Sequence, residues 1–155
     1  MWKPPDPLLT PSDPPEDSLE KYLLSLLTRG TWTEKQIKEK LKVRGADEDR
    51  AEDLVRMYRN AGYLDDRSYA LLFAETHPDW GCRRLRDELR RRGVRESFLS
   101  AALEEVDEEE RAAALAEEWR EGGMEGRKIE GRLLRRGFPP SLCRKIARGT
   151  CDEDP

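Results

Sequence analysis

Histidine occurs once in this chain, at His77, and cysteine three times, at Cys82, Cys143 and Cys151. None of the cysteines has zinc or redox spacing, and an odd count gives no disulfide framework, so a reduced, cytoplasmic compartment is expected. The lone histidine has no ligand partners at sensible spacing, which argues against a metal centre. No glycine-rich phosphate loop is present: the stretch 120–128, REGGMEGRK, lacks both the spacing and the Lys-Ser/Thr ending. Long apolar runs are missing too, which excludes a membrane span and gives no signal peptide. β-branched runs are absent, and between residues 18 and 149 proline appears only at Pro78 and at Pro139–Pro140. No cofactor, metal or membrane partner follows from such a sequence, and a catalytic pocket is not expected.

What remains is a charged, helix-forming chain. Charged residues make up 40% of its 155 residues, the mean hydropathy is -0.91, and Leu, Ala, Glu, Lys and Arg dominate. Apolar residues recur at helical spacing through the middle, so the fold class is all-α. Residues 1–17 hold six of the ten prolines and read as a disordered, Pro-rich tail. Residues 150–155 read as a disordered acidic tail.

Three segments can be superposed: QIKEKLKVRGA (36–46), RRLRDELRRRGV (83–94) and RKIEGRLLRRGF (127–138). Each has an apolar pair four residues apart, Ile37/Leu41, Leu85/Leu89 and Ile129/Leu133. Each ends in Arg-Gly, at Gly45, Gly93 and Gly137. Thirteen residues before each glycine lies Trp32, Trp80 or Met124; twenty-seven before lies Ser18, Asp66 or Glu110. A further helical stretch follows each glycine. The expected architecture is a tandem array of three three-helix repeats, at 18–61, 62–109 and 110–149. The glycines suit a helix C-terminus that needs positive φ, and the preceding arginines suit its negative end. Thr33 and Gln36 form a capping-box pattern, and Pro139–Pro140 suits a helix start.

The net charge of -4 is a sum of separated opposites. Residues 81–95 carry seven arginines against two acids, and 127–148 carry eight basic groups against Glu130 alone. Between them, 104–110 carries six acids. Arg83, Arg86 and Arg90 share one helical face, with Arg91 adjacent; Lys128, Arg132 and Arg135 fall at similar spacing. Successive faces of this kind would join into a positive band suited to phosphates or to an acidic protein surface. The alternative is that they are the solvated face of amphipathic helices.

The adjacent carboxylates Asp65 and Asp66 invite a catalytic reading. Neighbours on a helix diverge by about 100°, so convergence on one substrate is disfavoured. Asp66 is expected instead to cap the helix that follows it, with Asp65 adding charge or bonding a nearby loop. Gly62 should end the preceding helix, and Tyr63 and Leu64 should pack between repeats.

The stretch AGYLDDRSYALLFAETHPDWGCRRLRDELRRRGV (61–94) resembles the core signature of the RecX regulatory proteins. The likeness runs through Gly62, Tyr63, Leu64, Asp65, Asp66 and Tyr69, then Leu85, Leu89 and Gly93, and weaker matches extend it over 18–148. The resemblance implies an elongated array of these repeats, and a non-enzymatic, monomeric modulator of the RecA recombinase in recombination and DNA repair. It implies binding to the RecA filament on single-stranded DNA, inhibition of its ATPase and strand exchange, and weak DNA backbone contact in some members. Contacts with the filament are then expected on Arg83, Arg86, Arg90, Arg91, Lys128, Arg132 and Arg135. A non-specific DNA-binding helical module without a RecA target is the rival reading.

Overall fold

The computed structural model of the chain describes residues 17–149; apart from Asp17, both expected tails lie outside that range. The fold is all-α, with nine helices among the described residues. They are α1 (Ser18–Arg29), α2 (Glu34–Val43), α3 (Glu48–Asn60), α4 (Asp66–Thr76), α5 (Cys82–Arg91), α6 (Glu96–Glu104), α7 (Glu108–Glu121), α8 (Gly126–Arg135) and α9 (Pro140–Ala147). No helix among the described residues is long and apolar enough to cross a membrane. The described chain divides into two compact units, 17–69 with 92–95, and 70–91 with 96–149.

Local chemistry sets the helix ends. Asp17, Asp47 and Asp107 each accept a hydrogen bond from the backbone amide three residues on, starting α1, α3 and α7. Thr33 and Gln36 close the predicted capping box at α2. Pro139 and Pro140 open α9, where a missing amide costs nothing. Gly45, Gly93 and Gly137 lie two residues beyond α2, α5 and α8, each at positive φ. Trp32, Trp80 and Met124 lie two residues before the same helices. The three apolar pairs predicted for these helices, from Ile37/Leu41 to Ile129/Leu133, are fully buried. Each such side chain contributes about 1.5–3 kcal/mol.

In the first unit the core gathers Leu23, Ile37, Leu41, Leu54 and Tyr58 around Leu64. In the second, Ala112 and Ala116 of α7 leave room for Ile129, Leu133, Phe138 and Cys143. Tyr63 differs from expectation: it is 56% exposed, with its ring 5.3 Å from that of Tyr58. α7 begins at Glu108, two residues before the expected Glu110, because Asp107 is its cap.

Candidate functional site

The Asp65–Asp66 pair holds two different helices. Asp65, not Asp66, caps α4: its Oδ1 accepts from the amides of Arg67 and Ser68 at 3.1 and 3.2 Å, and its Oδ2 from the Ser68 hydroxyl. Asp66 is already the first helical residue, so its side chain points away from its own free amides. It is buried and accepts instead from the Glu34 amide at the start of α2, at 3.0 Å. Burial pushes its carboxyl up to about 6 against that hydrogen bond, with the Glu34 and Asp65 charges adding to the rise. Asp107 and Glu108 repeat the device in the second unit. Asp107 caps α7, and Glu108 accepts from the Cys82 amide at the start of α5, at 2.9 Å. Paired acids in this chain thus join helices.

The remaining candidates for chemistry are also structural. His77 Nδ1 lies 2.8 Å from the Phe73 carbonyl oxygen, which places its proton there, and its ring stacks on Phe73 at 4.1 Å. Burial raises the Cys82 thiol to about 11, far from a reactive thiolate at neutral pH. Cys143 is buried, its Sγ 3.5 Å from the Phe138 carbonyl oxygen. Cys151 lies outside the described residues.

The Arg-Gly turns dock on helix starts. In the first unit the Thr33 hydroxyl donates to the Arg92 carbonyl at 2.6 Å. In the second, the Gly81 amide donates to the Arg136 carbonyl at 2.7 Å and the Arg83 amide to the Gly137 carbonyl at 3.2 Å. Orphan amides at the start of α5 are thereby satisfied by a turn from elsewhere in the sequence. The approach is close enough that a Cβ on Gly81 would lie 2.5 Å from the Gly137 backbone. The turn arginines reach aromatic rings: Arg44 lies 3.8 Å from the Tyr22 ring centroid, Arg136 lies over Trp119, and Arg92 donates to the Tyr69 hydroxyl.

The seven predicted contact residues differ in their partners. On α5, Arg86 and Arg90 are both tied to Glu96, at 2.7 and 2.9 Å, and Arg91 is paired with Glu88. Those guanidiniums hold the Glu96 carboxyl below its ordinary range, Arg90 most strongly. Arg83 donates to the Leu134 carbonyl at 3.3 Å. Lys128 is exposed on the first turn of α8. Arg132 and Arg135 line a groove of about 410 Å³ together with Asp79, Trp80, Arg84 and Arg136. Arg84 lies 3.9 Å from the Trp80 ring centroid and Arg132 5.3 Å from that of Trp119, while Arg136 pairs with Asp79. Among the described residues no carboxylate pairs with Arg84, Arg132 or Arg135.

Arg84 and Arg136 were missed by charge counting, since every arginine in those windows looks alike. The available signal was Trp80, four residues before Arg84: one helical turn brings a guanidinium over the indole.

No protein-family model matches the chain. It is 37% identical over 119 residues to "Regulatory protein RecX" of Thermus thermophilus, covering 76% of this chain and 82% of that one. It is 28% identical over 157 residues to the protein of the same description in Streptomyces coelicolor, covering 92% and 84%. The crystal structure of RecX from Lactobacillus salivarius shares the fold, with a TM-score of 0.72 at 21% identity, over 83% of this chain and 91% of that one.

Proposed function

Because the chain belongs to the RecX family of regulatory proteins, we propose that it binds the RecA filament on single-stranded DNA and inhibits its ATPase and strand exchange. Members of the family are regulators rather than catalysts, and so is this chain. The observation that carries the reading is the arginine groove: three guanidiniums without carboxylate partners, two of them set over tryptophan rings. Such groups are already desolvated on one face and placed to receive an acidic surface. The scaffold is three tandem three-helix repeats, 18–61, 62–109 and 110–149. Support comes from the shared positions of Gly45, Gly93 and Gly137 beyond α2, α5 and α8. The protein works as a cytoplasmic monomer.

The same arginines favour one rival, a helical module that binds DNA phosphates without regard to RecA. A DNA-dependent ATPase and strand-exchange assay with purified RecA, run across protein ratios, separates the two. Dose-dependent inhibition is expected. No effect on RecA at any ratio, together with DNA binding that falls steeply with salt, would establish the rival.

A further inference from the structure

The arginine groove borders an acidic hollow. A second concavity of about 440 Å³ is lined by Asp79, Glu105, Asp107, Glu110 and Glu118, with Pro78, Ala114 and Leu115 as its apolar part. Asp79 lines both concavities, so opposite charges meet within the second compact unit. The one cation at the hollow, Arg111, is turned inward. Its guanidinium donates to the carbonyls of Ala74, His77 and Trp80 at 2.9–3.2 Å, closing the end of α4. Glu105, Glu110 and Glu118 have no cationic partner among the described residues. One concavity therefore holds guanidiniums without carboxylate partners, and its neighbour holds carboxylates without cationic partners.

We infer that the two concavities together dock a protein segment in which a cluster of acidic residues directly adjoins lysine or arginine. Nucleic acid is the poorer occupant. A phosphodiester strand carries charge of one sign along its whole length. A strand that leaves the groove past Asp79 meets the carboxylates of the hollow, well inside the Debye length of about 8 Å at physiological salt. A segment with one block of each sign gains on both sides, and the boundary at Asp79 sets where its charge changes sign. The inference rests on the reading of this chain as a regulator that acts through protein contact, and it names the chemistry of the partner's docking segment.

The test uses the full chain and three labelled probes in fluorescence anisotropy: a peptide of three Asp/Glu followed by three Lys, an all-acidic peptide of equal length, and a single-stranded oligothymidylate. The mixed peptide should bind tightest. R132Q/R135Q should weaken it about tenfold, as removal of desolvated contact charges does. E110Q/E118Q should weaken the mixed peptide while tightening the oligothymidylate. Glutamine keeps helix propensity, and circular dichroism checks that these variants fold. Oligothymidylate binding as tight as the mixed peptide overturns the inference, as does mixed-peptide binding that is absent or indifferent to E110Q/E118Q. A parallel RecA ATPase assay keeps the two readings apart. Lack of inhibition by the wild-type chain sinks the RecA reading alone. Full inhibition by R132Q/R135Q sinks the groove as the regulatory contact alone.

Discussion

Helix α5 buries Leu85 and Leu89, α8 buries Ile129 and Leu133, and each is followed two residues later by a glycine at positive φ. Apart from Arg84 of α5, which lines the same groove as Arg132 and Arg135, most of their cations nevertheless end in opposite states. Arg86, Arg90 and Arg91 of α5 are paired with Glu96 and Glu88, whereas Arg132 and Arg135 of α8 face a groove without carboxylate partners. The cause is register. Measured back from the glycine, the places of Arg86 and Arg90 are taken in α8 by Glu130 and Leu134, and those of Arg132 and Arg135 fall on Glu88 and Arg91 of α5. The offset is two residues between Arg86 and Arg132 and one between Arg90 and Arg135, which turns the basic face by about 150°. Equal charge on two helices therefore does not mean an equal surface; the distance from the glycine turn decides which face is basic.

The turns are the first place to break the comparison. Gly137→Ala puts a Cβ 2.5–2.6 Å from the Cβ and backbone nitrogen of Arg84, at a φ of 95°. Left-handed strain plus overlap with backbone that cannot yield should cost about 3 kcal/mol or more in urea denaturation. Gly93→Ala puts a Cβ 2.5 Å from the Lys35 Cβ, which is fixed to the α2 backbone, and should also cost about 3 kcal/mol. Gly45→Ala meets nothing within 4 Å and should cost about 1 kcal/mol. Equal losses at all three would show that turn docking contributes nothing.

Second in size is the buried carboxylate that joins α4 to α2. The folded-state pKa of Asp66 is raised from 3.8 to about 6, so between those values the folded chain binds more protons than the unfolded one. Its contribution to stability is therefore lost as pH rises from about 4 to about 6, on the order of 2–3 kcal/mol. Asp66→Asn keeps an acceptor for the Glu34 amide and removes the charge. The stability difference between Asp66→Asn and wild type should be small at pH 4, grow in favour of the variant up to about pH 6, and stay level above pH 7. A difference independent of pH would show that Asp66 is solvated in solution.

Much of this architecture was legible in the chain. The spacing of Ile37/Leu41, Leu85/Leu89 and Ile129/Leu133 marked the buried stripe of each helix, because one side chain per turn must face the core. The capping box at Thr33 and the turn glycines were legible because their chemistry is local. The roles of Asp65 and Asp66 were not. Adjacent acids at a helix start look equivalent until one knows that the Glu34 amide of α2, which the capping box leaves over, lies beside Asp66. The arginine groove was half legible for the same reason. Charge windows found Arg132 and Arg135, but the pairing of Arg86 and Arg90 with Glu96 is a tertiary fact.

Removing cations tests which face matters. R132Q/R135Q should raise the concentration needed for half-maximal inhibition of RecA by about tenfold, or about 1.4 kcal/mol. R86Q/R90Q, which removes cations already neutralised by Glu96, should change it less than twofold in the same ATPase titration, on the order of the rim-charge effects seen at interfaces. The reverse ranking would move the contact to α5.

The smallest expected effect converts one state into the other. Glu96→Gln leaves α5 otherwise intact but releases Arg86 and Arg90 from their shared partner, whose two oxygens now hold both. The pairs are solvent-exposed, so the melting temperature should not move measurably. Freed guanidiniums should instead give α5 the character of the α8 face and tighten binding of an all-acidic peptide about threefold at low salt, an effect that disappears once salt screens exposed charges. An increase that persists at high salt would mean that the α5 arginines enter a desolvated contact, and that α5 and α8 differ only by the presence of one glutamate.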